Sequence, residues 1–202
     1  MKNGIRLLET IKIKDGRAFN LPFHQARMDS TRWQLWQQPQ SFLLRNGVLP
    51  ETIGEGCFKW RIIYGKEFYQ EEFIPYSPKK IQCLKLVEAN DLVYDFKYAD
   101  RRILEQLRDE KRESCDDIII VKNGKITDTS FANLVFFDGK DWWTPKKPLL
   151  AGTQRAWLLY EQKIKEMEIK PEQLNMFSHC KLINAMIGFE KSPEIKVENL
   201  FP

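Results

Sequence analysis

The chain has 202 residues, which is long enough to bury a hydrophobic core in one domain or in two small ones. Its hydrophobic content of 43% and charged content of 30% are typical of a soluble globular protein, and the net charge of +4 is too small to indicate nucleic-acid binding. A mildly basic surface suits a small substrate that carries a carboxylate.

The sequence lacks the segments that direct a protein into or across a membrane. No apolar run reaches the ~18 residues that a transmembrane helix requires, and the N-terminus has no signal-peptide core. We therefore expect a cytoplasmic protein that binds no membrane. The cysteines are widely spaced and form no C-x-x-C pair, so we expect reduced thiols, no disulfide framework and no metal site. They are Cys57, Cys83, Cys115 and Cys180.

The first half of the chain has the pattern of a small α+β domain. Residues 5–14 end in an alternating strand pattern, and Asp15-Gly16 is a hairpin turn signal before a short returning strand. Residues 24–36 carry apolar and aromatic side chains at helical spacing. The remaining predicted elements are a loop with a short helix at 39–50 and strands at 57–63, 67–76 and 80–89.

The second half of the chain has the pattern of a larger α/β domain. Leu104 and Leu107 recur with Ile103 on one stripe of a charged segment, which predicts an amphipathic helix over residues 99–113. Asn123-Gly124 is a hairpin turn signal between two predicted strands. The other predicted elements are strands at 117–121, 125–127, 134–137 and 181–184, and a helix that opens at Gly152 and runs to about Glu166.

Three features of the second half could carry chemistry. Lys97 lies at a predicted strand-to-helix junction, where a desolvated amine is a usable nucleophile, although alone it is more simply a snorkelling surface lysine. Asp128 lies between two strand-like runs and is either a turn or cap residue or a buried partner for a cationic heterocycle. Residues 152–155 open a helix, whose backbone N–H groups either hold a phosphate or are simply capped.

In this order, the three features resemble the class IV aminotransferase family, whose members use pyridoxal 5'-phosphate. The family pattern has the cofactor lysine before a helix, then an acidic turn, a Thr-Pro pair and G-x-x-R. The matching segments are Lys97, Asp128-Thr129-Ser130-Phe131-Ala132-Asn133, Thr144-Pro145 and Gly152-Thr153-Gln154-Arg155. Upstream, Glu9-Thr10-Ile11 and His24-Gln25-Ala26-Arg27-Met28 resemble the family's E-T-I and H-x-x-R-L/M.

The resemblance implies an α+β, two-domain fold of the type IV pyridoxal-phosphate enzymes, like that of D-amino-acid aminotransferases, with a shortened N-terminal part. The expected domains are residues 1–90 and 91–202, with the cofactor cleft between them. Family members of this type are usually dimers, so a homodimer is expected by resemblance.

The resemblance also assigns roles to single residues. It implies that pyridoxal 5'-phosphate is linked to Lys97, which is also the catalytic proton carrier, and that Asp128 faces the ring nitrogen. Arg27, with the backbone N–H groups of Thr153 and Gln154, would hold the phosphate. The family's aminotransferases usually have glutamate in place of Asp128.

Two local segments resemble the aminodeoxychorismate lyases, which convert 4-amino-4-deoxychorismate to 4-aminobenzoate and pyruvate. The segment from Lys97 to Arg101 resembles their K-x-x-N-R, and the segment around Asn184 resembles their T-N-S-L-M-G, which makes Arg101 and Asn184 candidate substrate-binding residues. Branched-chain aminotransferases instead have a tyrosine five positions after the lysine, where this chain has Arg102. We favour the lyase, with an aminotransferase acting on branched-chain or D-amino acids as the alternative. A degenerate cofactor-binding protein with little catalysis is a third hypothesis, because Ala185 replaces a hydroxyl residue of the family.

Overall fold

The computed structural model describes residues 4–38, 43–44 and 53–202. These residues divide into two compact units, each with its own sheet and its own buried core. The first unit contains the described part of Met1–Pro78 together with Phe96–Asp100, and the second contains Lys79–Asp95 and Arg101–Pro202.

The first unit is an antiparallel sheet with a helix packed on one face. Its elements are β1 (Leu7–Lys14), β2 (Arg17–Ala18), α1 (Leu21–Trp36), β3 (Cys57–Tyr64) and β4 (Tyr69–Pro75). The strands lie in the order β2-β1-β3-β4. Alternate side chains of β1 and β3 face α1 and form the core with it; the buried residues are Leu7, Ile11, Ile13, Leu21, Met28, Trp60, Ile62 and Tyr64. The predicted strand, hairpin and helix are confirmed, and Asp15 and Gly16 form the turn with φ of 49° and 73°.

The second unit is a mixed sheet with short helices. Its elements are β5 (Leu84–Glu88), α2 (Arg102–Lys111), β6 (Asp117–Lys122), β7 (Lys125–Thr129), β8 (Asn133–Phe137), β9 (Trp142–Pro145), α3 (Thr153–Tyr160), β10 (Lys165–Met167), β11 (His179–Ile183), β12 (Glu194–Lys196) and β13 (Leu200–Phe201). Short 3-10 helices cover Pro171–Met176, Phe189–Lys191 and Val197–Asn199. The strand order is β10-β9-β8-β7-β6-β5-β13, and β11 pairs with β8 and β12.

The strands predicted for the second half are confirmed. The turn between β6 and β7 is formed by Asn123 and Gly124, with φ of 50° and 68°, as the dipeptide indicates. Strands β6 and β8 are buried along most of their length, so the centre of this sheet forms the core of the unit. The side chains at the ends of these strands are therefore held in fixed positions.

The predicted length of the last helix is wrong. Helix α3 starts at Thr153, as the turn at Gly152 predicts, but it ends at Tyr160 rather than near Glu166. Gln162 has a φ of 54°, which a helix does not allow, and the chain then turns back so that β10 pairs in parallel with β9. The apolar side chain that seemed to continue the helix, Ile164, is buried in a separate cluster beside Leu158.

Two further predictions differ from the structure in detail. Leu104 is the buried residue of α2, whereas Ile103, which was predicted to share its stripe, is 48% exposed. The division between the units lies after Pro78 rather than at residue 90, because β5 pairs in parallel with β6 of the second unit. The loop and short helix predicted for residues 39–50 lie outside the described residues, apart from Leu43 and Leu44.

Within the described ranges, no helix is both long enough and apolar enough to cross a membrane. Cys57, Cys83, Cys115 and Cys180 are free thiols. No group of three or more side chains suited to hold a metal ion occurs in the part of the chain that the structure describes.

Candidate active site

Lys97 lies in an extended segment that adds to the edge of β1 in the first unit. The backbone N–H of Leu8 donates to the carbonyl oxygen of Lys97 at 2.8 Å, and the N–H of Ala99 donates to the carbonyl oxygen of Arg6 at 2.9 Å. Leu7 and Tyr98 form the antiparallel bridge between these bonds. Lys97 is half-buried and is followed five residues later by α2. The segment therefore holds Lys97 at the junction that its sequence context predicts.

A buried cluster of Glu9, His24 and Arg27 lies in the same unit. The Nδ1–H of His24 donates to Glu9 Oε2 at 2.6 Å, and Arg27 donates to both carboxylate oxygens at 2.9 and 2.5 Å. Glu9 and His24 have fully buried side chains, and that of Arg27 is 14% exposed. This two-bond contact with Glu9 fixes the plane of the Arg27 guanidinium group.

The charges of this cluster are set by its contacts. Burial alone would raise the pKa of Glu9, but Arg27 and His24 lower it to about 2, so the carboxylate is ionised. Burial lowers the pKa of His24, against the hydrogen bond and the charge of Glu9, which raise it. The positive charges of Arg27 and Lys97 lower the pKa of His24 further. Both Arg27 and Lys97 are therefore close enough to act on one imidazole, which places the two predicted residues in one electrostatic environment.

Asp128 lies on β7 in the second unit and is 4% exposed. Of the alternatives that its sequence context left open, the structure shows the buried carboxylate and not a turn or helix cap. Asn133 Nδ2 donates to Oδ1 at 2.8 Å, and the backbone N–H of Leu150 donates to Oδ2 at 2.8 Å. Burial raises the pKa of Asp128 to about 7, although these hydrogen bonds and the charge of Arg155 lower it. The ionised form is therefore one that a nearby cation would stabilise.

Gly152 allows Asn133 to reach Asp128. Gly152 is the N-cap of α3, with φ of −71° and ψ of 141°, and a Cβ atom at this position would stand 1.9 Å from Asn133 Oδ1. Asn133 Nδ2 also donates to the carbonyl oxygen of Leu150 at 2.9 Å, which ties the loop before α3 to β8. Thr153 and Gln154, the predicted phosphate-binding pair, follow as the first buried residues of α3. The carboxylate is thus joined to the loop before α3 both through Asn133 and by the direct bond from the Leu150 N–H.

Arg155 is a buried residue in the first turn of α3. Its guanidinium group donates to the carbonyl oxygen of Pro145 at 2.9 Å and to Glu166 Oε1 at 2.6 Å, and Nε donates to Thr144 Oγ1 at 3.3 Å. These bonds connect α3 to β9 and β10. The structure therefore explains why the Thr-Pro pair and the G-x-x-R motif occur together, since they contact each other.

Arg101 and Asn184 converge on the turn between β7 and β8. Arg101 donates to the carbonyl oxygen of Ser130 at 2.7 Å, and Asn184 Nδ2 donates to that of Phe131 at 3.3 Å. Asp117 holds the same turn from the other side, where it accepts bonds from Ser130 Oγ at 2.8 Å and from the Ser130 N–H at 3.1 Å. The two candidate substrate-binding residues thus share a local framework within the second unit.

Sequence reasoning missed three residues that position the candidate site: Glu9, Asn133 and Asp117. Glu9 and Asn133 lie inside the motifs, but a motif does not show which partner a side chain contacts. A charged residue at an apolar-facing position of a strand is the signal that could have identified Glu9, since a buried carboxylate needs a cationic partner. Asp117 begins a run of buried apolar residues and could have been found in the same way.

Comparison with known proteins places this geometry in a family. The family model described as amino-transferase class IV matches residues 62–190. An uncharacterized protein of Haemophilus influenzae is 38% identical over 185 residues, which cover 90% of this chain and 98% of that protein.

Solved structures share the fold. The crystal structure of a putative 4-amino-4-deoxychorismate lyase from Haemophilus somnus has 35% identity and a TM-score of 0.83, and the match covers 92% of this chain and 98% of that one. A hypothetical aminotransferase from Mycobacterium tuberculosis in its PLP-bound form has 16% identity and a TM-score of 0.77, covering 98% and 83% of the two chains. At that identity, the second likeness shows the fold alone.

The fold and the ordered motifs define a fold type IV pyridoxal-phosphate enzyme of mixed α+β architecture. The chain belongs to the class IV aminotransferase family, because the family model covers more than half of it and because a relative at 38% identity spans most of its length.

Proposed function

We propose that the protein is a pyridoxal-phosphate-dependent lyase that converts 4-amino-4-deoxychorismate to 4-aminobenzoate and pyruvate. The observation that carries this proposal is the 35% identity to the putative 4-amino-4-deoxychorismate lyase of Haemophilus somnus over 98% of that chain. The segments around Arg101 and Asn184, which resemble the corresponding lyase motifs, support the same activity.

The residues described above suit pyridoxal 5'-phosphate. Asp128 is a buried carboxylate whose raised pKa would fall beside a cation, and the protonated ring nitrogen of the cofactor is such a cation. Arg27, held by Glu9, and the N-terminus of α3 at Thr153 and Gln154 are the groups that would bind its phosphate. Lys97 supplies the amine that would hold its aldehyde.

When bound, the cofactor would supply an electron-accepting ring that makes the α-proton of the amine substrate acidic. Lys97, once displaced by the substrate amine, would take up that proton at Nζ and deliver a proton to the departing three-carbon unit. Asp128 would keep a negative charge against the ring nitrogen, and Asn133 would hold the carboxylate in place through the 2.8 Å hydrogen bond to Oδ1. Aspartate is one methylene shorter than glutamate, so its carboxylate reaches less far from the backbone of β7 than the glutamate of relatives would.

Turnover of 4-amino-4-deoxychorismate tests the proposal. The cofactor-loaded protein should release pyruvate, measured by coupled oxidation of NADH with lactate dehydrogenase, and 4-aminobenzoate, measured by chromatography, in equal amounts. Lys97→Arg should release neither, because the guanidinium group cannot exchange the proton. The proposal fails if the loaded wild-type protein forms no pyruvate.

An aminotransferase would give a different result in the same assay. An amino acid donor would convert the cofactor to its amine form, with a change in absorbance and release of the corresponding keto acid. That result, without pyruvate release from 4-amino-4-deoxychorismate, would assign the protein to the aminotransferase alternative. If neither substrate changes the spectrum of a coloured protein, the degenerate cofactor-binding hypothesis is supported.

A further inference from the structure

A cationic cavity lies at the turn between β3 and β4 in the first unit. Arg6, Lys66, Glu67 and Phe68 line it, and its volume is about 310 Å³. Pockets that bind small molecules usually have volumes of about 300–1,000 Å³ and combine an apolar surface with a few placed polar groups. The cavity is at the lower end of this range, so it suits part of a small ligand.

Several independent contacts fix the shape of the cavity. The guanidinium carbon of Arg6 lies 4.2 Å from the centre of the Phe68 ring, and a Cβ atom at Gly65 would stand 2.6 Å from Arg6 Nη1. Glycine at position 65 therefore lets the arginine pack against the backbone of the turn. Arg32, which is 1% exposed, donates to the carbonyl oxygens of Gly65 at 2.7 Å and of Lys66 at 3.1 Å. These two bonds from a buried arginine hold the backbone of the turn in place.

The charges around the cavity favour an anion. Arg6 and Lys66 line it, Arg32 donates to the backbone of the turn that forms it, and Glu67 is the acidic residue of the lining. Three positive charges against one negative charge attract a carboxylate, and a guanidinium group can bind it through two parallel hydrogen bonds. The Phe68 ring beside Arg6 adds an apolar surface, so a carboxylate attached to a small ring matches the lining better than a simple inorganic anion.

The cavity is close to Lys97 along the strand pairing of the first unit. Ala99 donates its N–H to the carbonyl oxygen of Arg6, and Leu8 donates to the carbonyl oxygen of Lys97. Arg6 and Lys97 are therefore separated by two positions in this pairing, which corresponds to roughly 7 Å along an extended strand. A ring substrate with substituents on opposite sides is long enough to span this backbone separation.

We propose that Arg6 and Lys66 bind a carboxylate of the ring substrate whose amino group reacts at Lys97. The inference rests on the proposed function, because it assigns a carboxylate of that dicarboxylate substrate to this cavity. It predicts that these two residues determine affinity for the substrate, while the groups around Lys97 determine the rate of the chemical step.

The variants Arg6→Met and Lys66→Met test the proposal, since methionine removes the charge and keeps much of the apolar stem. Lys14→Met is the matched control, because Lys14 is an exposed cation at the opposite end of β1. The probe is chorismate, which carries the same two carboxylates with a hydroxyl group in place of the amino group. Its Kd is measured by calorimetry on cofactor-loaded protein, and kcat and KM are measured in the pyruvate assay. Cofactor content is measured by absorbance.

Each charge-removing variant should raise the Kd of chorismate and the KM of the substrate about tenfold or more, which corresponds to the loss of one charge-assisted hydrogen bond. The kcat and the cofactor content should stay close to the wild-type values, and Lys14→Met should behave as wild type. Arg6→Lys should restore part of the affinity.

Wild-type chorismate affinity in folded Arg6→Met and Lys66→Met proteins would overturn the inference and leave the lyase proposal intact. Failure of the wild-type protein to bind chorismate would also overturn it. If chorismate binding depends on Arg6 and Lys66 but no pyruvate is released, the binding site is supported and the proposed function is not. If Arg6→Met does not fold, as judged by thermal unfolding, Lys66→Met decides, because it changes a half-buried side chain of the turn.

Discussion

Replacing Gly152 by alanine should destabilise the second unit through one specific contact. The added methyl group would stand 1.9 Å from Asn133 Oδ1, well inside van der Waals contact. The backbone at Gly152 has a φ of −71°, which any residue adopts, so the effect cannot come from the conformation of the glycine itself. The clash must be relieved by moving either Asn133 or the loop before α3.

The size of the effect follows from the bonds that such a movement breaks. Asn133 Nδ2 donates to the buried carboxylate of Asp128 at 2.8 Å and to the carbonyl oxygen of Leu150 at 2.9 Å. Loss of a hydrogen bond to a buried carboxylate and the strain of an extra methyl group together should lower the free energy of unfolding by about 3–5 kcal/mol. Even the lower value is a large part of the stability of an ordinary domain.

Urea denaturation of the cofactor-free protein measures this change, and the chain contains a matched control. Gly188 has almost the same backbone conformation, with φ of −71° and ψ of 151°, and a Cβ atom there would meet nothing within 4 Å. Gly188→Ala should therefore change the free energy of unfolding by less than about 0.5 kcal/mol. Equal effects of the two substitutions would refute the explanation by the Asn133 contact.

The double variant with Asn133→Ala tests the same contact in another way. Removing the Asn133 amide costs its two hydrogen bonds but makes room for the methyl group at position 152. The combined loss of stability should therefore be smaller than the sum of the single losses by at least about 1 kcal/mol. Additive losses would show that the two residues act independently.

Three further predictions concern charged residues. Burial raises the pKa of Asp128 to about 7 from 3.8, so the folded state is favoured while this carboxyl is protonated. The contribution of Asp128 to the free energy of unfolding is fully present below about pH 4 and is lost as the pH rises to about 7, a change of about 4 kcal/mol. In cofactor-free protein, this pH dependence should disappear in the Asp128→Asn variant. Denaturation curves of the variant with the same pH dependence as wild type would contradict this. Glu9→Gln removes the buried negative charge that balances Arg27 and that accepts the hydrogen bond from His24, and should cost about 3–5 kcal/mol. Glu72→Gln, in a partly exposed pair, should cost less than about 1 kcal/mol. Because its partners lower the pKa of Glu9 to about 2 from 4.5, wild-type stability should also fall as the pH drops between these values, and a fall of the same size in Glu9→Gln would exclude this cause. Wild-type protein loaded with pyridoxal 5'-phosphate should be yellow and should carry a borohydride-stable label on the peptide that contains Lys97; labelling of a different lysine would rule out this attachment point.

Local sequence signals predicted the parts of the fold that depend on neighbouring residues. Asn123 and Gly124 adopt the positive φ angles of a tight hairpin because their own chemistry favours them, and the same holds for Asp15 and Gly16. The end of α3 depends on a distant partner instead. Residues after Tyr160 pair in parallel with β9, and no feature of their own sequence indicates that strand.

The candidate site shows the same division. The resemblance to the family indicated Lys97, Arg27 and Asp128, because each of them lies in a short motif that can be recognised from its residue types. The contacts that hold them could not be predicted in this way, because the partners are far apart in sequence. Glu9 contacts Arg27 across 18 positions, and Leu8 contacts Lys97 across 97 − 8 = 89 positions. The roles of these residues toward cofactor and substrate stay predictions.

The pairing between Leu8 and Lys97 has a consequence for synthesis on the ribosome. The two residues are 97 − 8 = 89 positions apart, and the neighbouring contacts of the same pairing join Leu7 to Tyr98 and Arg6 to Ala99. At about 5–20 residues per second, β1 leaves the ribosome roughly 4–18 s before the strand segment that completes its edge. During that interval the edge at Leu7 and Leu8 lacks the segment that pairs with it in the folded protein, so mutations that slow translation before residue 100 should increase aggregation of the nascent protein.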